Sequence, residues 1–160
     1  MKRSQARGWP SHLDMASTVK IGAPPAIVWE AFSDAPRWPE WCGVCLGVWG
    51  VSANPWQPGG GLSFKLRIGG VPVPFSVTVV DADPPHRVAW ASTKLTVTAT
   101  RTFTFDEQDG SSLVTDGKLF ESWLLPLRLF YPRPLIRRMT ESWLRDLKCE
   151  AERLAGGRSS

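Results

Sequence analysis

The apolar residues of this chain change their period once, and that change constrains the fold more than any other feature. From Leu62 to Glu121 they recur at every second position; from Pro134 they recur at helical spacing. Leu62, Phe64, Leu66 and Ile68 alternate with Ser63, Lys65 and Arg67, the pattern of a strand buried on one face. Gly69-Gly70 turns the chain, and Phe75, Val77 and Val79 form the next strand. Asp83-Pro84-Pro85-His86 is a further turn, leading to Val88 and Trp90. Leu95 to Phe105 reads as the clearest strand: Thr96, Thr98, Thr100, Thr102 and Thr104 take one face, and Leu95, Val97, Ala99, Arg101, Phe103 and Phe105 the other. Asp109-Gly110 signals a hairpin, and Leu113 to Glu121 returns as the last strand. Beyond Pro134, Ile136, Met139, Trp143, Leu147 and Leu154, flanked by Leu135, Leu144 and Ala151, make one apolar helical stripe that Gly156-Gly157 is expected to close.

The N-terminal part is shorter in pattern. Residues 1–15 read as a flexible leader, and Ser17 to Ile21 as a first strand with Val19 and Ile21 on one face. Pro25 suits the first turn of a helix carrying Ile27, Val28, Ala31 and Phe32, which ends near Asp34-Ala35-Pro36. Arg37 to Trp41 reads as a second short helical turn. With 160 residues the chain is expected to hold one domain over 16–155, with residues 156–160 as a tail. The expected class is α+β: a curved antiparallel sheet around a long C-terminal helix, with two short helices after the first strand.

Charge excludes one class of partner. The net charge is +4, but residues 1–10 carry +3 and residues 125–160 carry +4, so the middle is acidic. No basic stripe interleaved with aromatics is present, which argues against a nucleic-acid groove. The longest uncharged stretch, Trp41 to Phe64, holds Pro55, Pro58 and Gly59-Gly60-Gly61, so no transmembrane segment is expected. The basic N-terminus has no apolar run after it, and three Cys are present, which together point to a cytoplasmic location.

Several motifs point to chemistry that their context opposes. Cys42-Gly43-Val44-Cys45 has the spacing of a thiol redox pair, but it follows a short helix and precedes Leu46 to Gly50, which reads as strand. A reactive thiol of this type needs a helix N-terminus, so two semi-buried, inert thiols are expected. Cys149, His12 and His86 stand at no metal-ligand spacing, and neither metal nor cofactor is expected. His12 falls in the leader and His86 in a turn, which leaves no base for a serine triad. Gly59-Gly60-Gly61 precedes a strand and reads as a turn instead of a phosphate loop.

A set of ordered motifs resembles a known family. They are Ile21-Gly22-Ala23-Pro24-Pro25 with Val28-Trp29 and Phe32, then Trp38-Pro39-Glu40-Trp41, Asp83-Pro84-Pro85 with Val88 and Trp90, and Asp109-Gly110-Ser111-Ser112. Phe120-Glu121-Ser122 and Leu144 to Glu152 complete the series. Over residues 16 to 154 the chain resembles the START-like (SRPBCC) helix-grip superfamily, in its bacterial polyketide cyclase/dehydrase and lipid-transport branch. The resemblance implies a cavity between sheet and long helix that holds an apolar small molecule. It implies no particular reaction.

Two readings of function follow. The first is binding of a hydrophobic lipid, polyketide or isoprenoid-like molecule; the alternative is a metal-free cyclase, aromatase or dehydrase acting in the same cavity. Alternation leaves open which face of 113–121 points inward, and the resemblance through Phe120 favours Val114, Asp116, Lys118 and Phe120. Arg101, Asp116 and Lys118 then meet inside, either as a self-satisfied ion pair or as a polar anchor for a carboxylate, carbonyl or phenol. The expected lining is Phe64, Leu66, Phe75, Val77, Trp90, Val97, Phe103 and Phe120 from the sheet, with Met139, Trp143 and Leu147 from the helix. The unusual stock of nine Trp and seven Phe is expected to line this space, with room left beside Ala99 and Gly117. Arg101 should mark its polar pole, and Asp116, Arg101, Tyr131 and Glu121 are the weak catalytic candidates. The apolar, arginine-studded stretch 123–133 is a candidate rim for peripheral membrane contact.

Overall fold

A computed structural model describes residues 11–124 and 131–158. The strands are β1 (Ser11–Ile21), β2 (Cys45–Trp49), β3 (Gly61–Ile68), β4 (Val71–Asp83), β5 (Arg87–Lys94), β6 (Val97–Gln108) and β7 (Ser111–Ser122). The helices are α1 (Pro25–Ser33), α2 (Trp38–Trp41) and α3 (Arg133–Arg158), with a 3₁₀ turn at Ala35–Arg37 before α2. The sheet runs in the order β1-β7-β6-β5-β4-β3-β2 and its paired strands are antiparallel. Tight turns build β3 to β7, while α1 and α2 carry the chain from one sheet edge to the other. The α+β arrangement expected from the period change, an antiparallel sheet with a long C-terminal helix, is the fold, as the helix-grip resemblance also implied.

Alternation sets the inner face. Along β7, Ser112, Val114, Asp116, Lys118, Phe120 and Ser122 are buried and their neighbours half-exposed. On β6, Arg101, Phe103 and Phe105 are buried on the same side. Against this face α3 lays Ile136, Met139, Thr140, Trp143, Leu144, Leu147 and Ala151. The Glu152 carboxylate accepts from the Gly22 amide at 2.7 Å and Asp146 from the Gly43 amide at 2.9 Å, tying the helix to the loops at both ends of the α1–α2 segment.

Three boundaries differ from the sequence reading. β1 starts at Ser11, so residues 11–15 are sheet and not leader: Leu13 and Met15 continue the alternation, opposite Phe120 and Lys118 of β7. Leu95 and Thr96 lie in the β5–β6 turn and not in the strand; Leu95 takes φ 55° and is 94% exposed. Its apolar side chain fits the alternation, but the register brings Lys94 opposite Val97, which leaves two residues to reverse the chain. Finally, α3 runs through Gly156-Gly157 to Arg158.

Candidate functional site

The space between sheet and α3 is filled at one end and open at the other. Beside α1 and α2, Trp29, Phe32, Trp38, Trp56, Phe103, Phe105 and Trp143 stack on one another with ring centroids 4.8–6.4 Å apart. Trp38 donates its indole N–H to the Phe32 carbonyl and Trp56 to that of Ser33, both at 2.8 Å, so these rings are locked. Towards the start of α3 the packing stops and leaves a cavity of about 350 Å³.

Phe64, Leu66, Phe75, Val77, Trp90, Val97, Arg101, Lys118, Phe120 and Met139 border this cavity. Phe103, Trp143 and Leu147 do not; they face inward but belong to the filled end, each wholly buried. Ile68, Val73, Ser92, Lys94, Leu95, Thr100, Pro132 and Ile136 border it without having been expected as lining, and Ala99 and Tyr131, singled out for other reasons, border it too. Parity was the available signal for Ile68, Val73, Ser92 and Ala99, which share the inner face with the expected residues. Ala99 leaves room as anticipated, whereas Gly117 lies on the outer face, where an added Cβ would meet only the Thr102 carbonyl at 3.8 Å.

One wall is charged. The Arg101 guanidinium grips Asp116 through Nε at 3.0 Å and Nη2 at 2.6 Å, and Lys118 Nζ bonds Asp116 Oδ1 at 2.9 Å. Lys118 also donates to the Thr140 hydroxyl of α3 at 2.6 Å, and that hydroxyl donates to the Ile136 carbonyl at 2.8 Å. The guanidinium lies over the Phe103 and Trp143 rings, 4.6 and 5.0 Å from their centroids. Asp116 is 1% exposed and does not border the cavity, so it stands behind its two cations. Burial opposes its charge, but Arg101 and Lys118 outweigh that and hold its carboxyl below the usual range. For Lys118, burial first and the adjacent guanidinium second bring its ammonium down to about 7. Below about pH 7, where Lys118 is charged, two cations against one anion leave this wall positive.

The remaining candidates lie elsewhere or are inert. Tyr131 borders the cavity and packs on Phe120 at 4.5 Å; burial raises its phenol above the ordinary range. Glu121 is on the outer face of β7, and His12 is exposed on β1 opposite it. Cys42 follows the C-terminus of α2 and Cys45 opens β2; both are free and buried. Burial pushes the Cys42 thiol up to about 12 and raises Cys45 too, the reverse of what a redox pair needs. Among the described residues no cluster of His, Cys, Asp and Glu is placed to hold a metal ion, and no helix is long and apolar enough to cross a membrane. Of the stretch 123–133, residues 125–130 lie outside the described residues; Trp123 and Leu124 are exposed.

Solved structures of low sequence identity share the fold. The Zhui aromatase/cyclase from Streptomyces sp. R1128 superposes with a TM-score of 0.75 at 16% identity, covering 89% of this chain and 95% of that one. Ginseng major latex-like protein 151 from Panax ginseng gives 0.75 at 14% identity, covering 88% and 97%. A START superfamily protein from Mycobacterium smegmatis gives 0.72 at 19% identity, covering 90% and 99%. No curated protein matches the chain. The family model for polyketide cyclase/dehydrase and lipid transport matches residues 12–155, nearly the whole described fold, and the chain belongs to that family.

Proposed function

We propose that the protein binds an apolar small molecule bearing an acidic group, with the apolar body in the cavity and the acid against Lys118. The observation that carries this reading is the buried Arg101–Lys118 wall of a mostly apolar cavity, whose other charged residue, Lys94, is exposed. Phe64, Leu66, Phe75 and Val77 offer no hydrogen bond, so a polar group on a ligand seated among them gains by turning towards Arg101 and Lys118. Arg101 gives Nε and Nη2 to Asp116, and Lys118 as an ammonium gives two of its three N–H groups to Asp116 and Thr140 and keeps the third for the ligand. Exposed Leu95 lies beside Trp123 and Leu124 through the contact of Thr96 with Ser122, and this apolar edge suits delivery from a membrane or an apolar partner.

The cyclase alternative uses the same wall, with the Lys118 N–H polarising a carbonyl. Binding is the better supported reading because the buried carboxylate, Asp116, is held by two cations, and Tyr131 keeps its proton. Titration with decanoate, followed by calorimetry, tests the proposal. Saturable one-to-one binding is expected, and Met139→Trp, which fills the cavity from α3, should weaken it by about tenfold or more. Equal binding by Met139→Trp would move the ligand out of this cavity.

A further inference from the structure

We propose that Lys118 is also a condensing amine, forming a reversible imine with apolar aldehydes or ketones seated in the cavity. This rests on the reading of the cavity as an apolar ligand site. Lys118 Nζ bonds two groups, the Asp116 carboxylate at 2.9 Å and the Thr140 hydroxyl at 2.6 Å. A carboxylate only accepts, and the Thr140 hydroxyl has given its proton to the Ile136 carbonyl, so it too accepts from Lys118. In the free amine these two bonds use both N–H groups and leave the lone pair unengaged. The open space that Lys118 borders is the cavity.

The surroundings favour the free amine. Arg101 from β6 brings a second cation to the same carboxylate, and α3 contributes Thr140, Ile136 and Met139, none of them ionisable. Burial and that guanidinium bring the ammonium down to about 7, so near neutrality about half of Lys118 is free amine. For an ordinary lysine the fraction is about one in three thousand. Lys20, Lys65 and Lys94 are exposed, and Lys94 is the useful comparison because it borders the same cavity at its edge.

In the step, the Nζ lone pair forms a bond to the carbonyl carbon and the C=O π pair moves to oxygen. The proton shed by nitrogen passes to that oxygen, giving a carbinolamine. The carbinolamine nitrogen then gives up its remaining proton to the hydroxyl and forms the C=N bond as that oxygen leaves as water. One carbonyl and one amine become one imine and one water, with no oxidant or reductant. The apolar walls disfavour the return of water and so favour the imine.

The test uses 2-naphthaldehyde at pH 7 with cyanoborohydride, whose hydride fixes any imine as a secondary amine. Intact mass should show a single adduct, and peptide mapping should place it on Lys118 at least about tenfold above Lys94 or Lys65. Lys118→Arg keeps the positive charge and should lose the adduct. In parallel, the aldehyde without reductant is tested for displacement of Nile red from the cavity. Displacement without a Lys118 adduct overturns the imine and leaves the binding reading standing. Labelling spread evenly over surface lysines overturns the imine as well. Absence of both Nile red binding and adduct overturns both readings.

Discussion

Arg101 and Lys118 touch the same carboxylate, yet their removal should have opposite consequences. Arg101→Leu takes away a bidentate partner and leaves Asp116 buried with a single bond from Lys118, so a loss of about 3 kcal/mol of stability is expected. Lys118→Met keeps the Arg101–Asp116 pair and removes a charge that burial already disfavours, at a cost of about 1 kcal/mol or less. The unfolded chain holds the Lys118 proton up to about pH 10.5, while the folded chain releases it near pH 7. Across that window the unfolded state binds more protons, so the stability of the wild type relative to Lys118→Met should rise with pH. Urea midpoints at several pH values would show it, and a flat difference would mean that Lys118 stays charged in the fold. At this scale the sequence was informative about pairing: an arginine in phase with Phe103 and Phe105 had to meet an acid. That the pair would spend Arg101 and leave Lys118 facing the cavity depends on which strand lies nearer α3, which no local pattern records.

Among the elements, β3 was legible because its apolar residues share the one face that is buried. On β7 alternation left the inner face open, and only the resemblance through Phe120 favoured the face that is buried. The first half of β1 was not legible: Ser11 to Ala16 has only Leu13 and Met15 as apolar inner residues, and its pairing partner is a hundred residues away in β7. Leu95 misled for the opposite reason, since an apolar residue in phase with Val97 sits in a turn that requires positive φ. A left-handed conformation costs a non-glycine residue about 1–2 kcal/mol, and this side chain is almost wholly exposed. Leu95→Gly should therefore stabilise the protein by about 1 kcal/mol, the reverse of the usual effect of glycine in a sheet protein. A lower melting temperature in the variant would show that the Leu95 side chain contributes packing at the cavity edge that outweighs its backbone strain.

The whole molecule divides its interior between packing and space, and the division is non-local. Alternation and helical period show which residues face inward, but not how far along the sheet the α1–α2 segment reaches. That segment brings Trp29, Phe32 and Trp38 against Phe103 and Trp143, so much of the aromatic stock fills one end instead of lining a void. The central claim is that the space left at the other end recognises an acidic apolar molecule through Lys118. Calorimetric titration of decanoate and its uncharged methyl ester against the wild type and Lys118→Met tests it most directly. The wild type at pH 6 should prefer the acid by about tenfold or more, a charge-assisted bond being worth about 1.5–3 kcal/mol. Lys118→Met should lose that preference while binding the ester as before. Equal affinity of the wild type for acid and ester, or an acid preference that survives in Lys118→Met, would contradict the account.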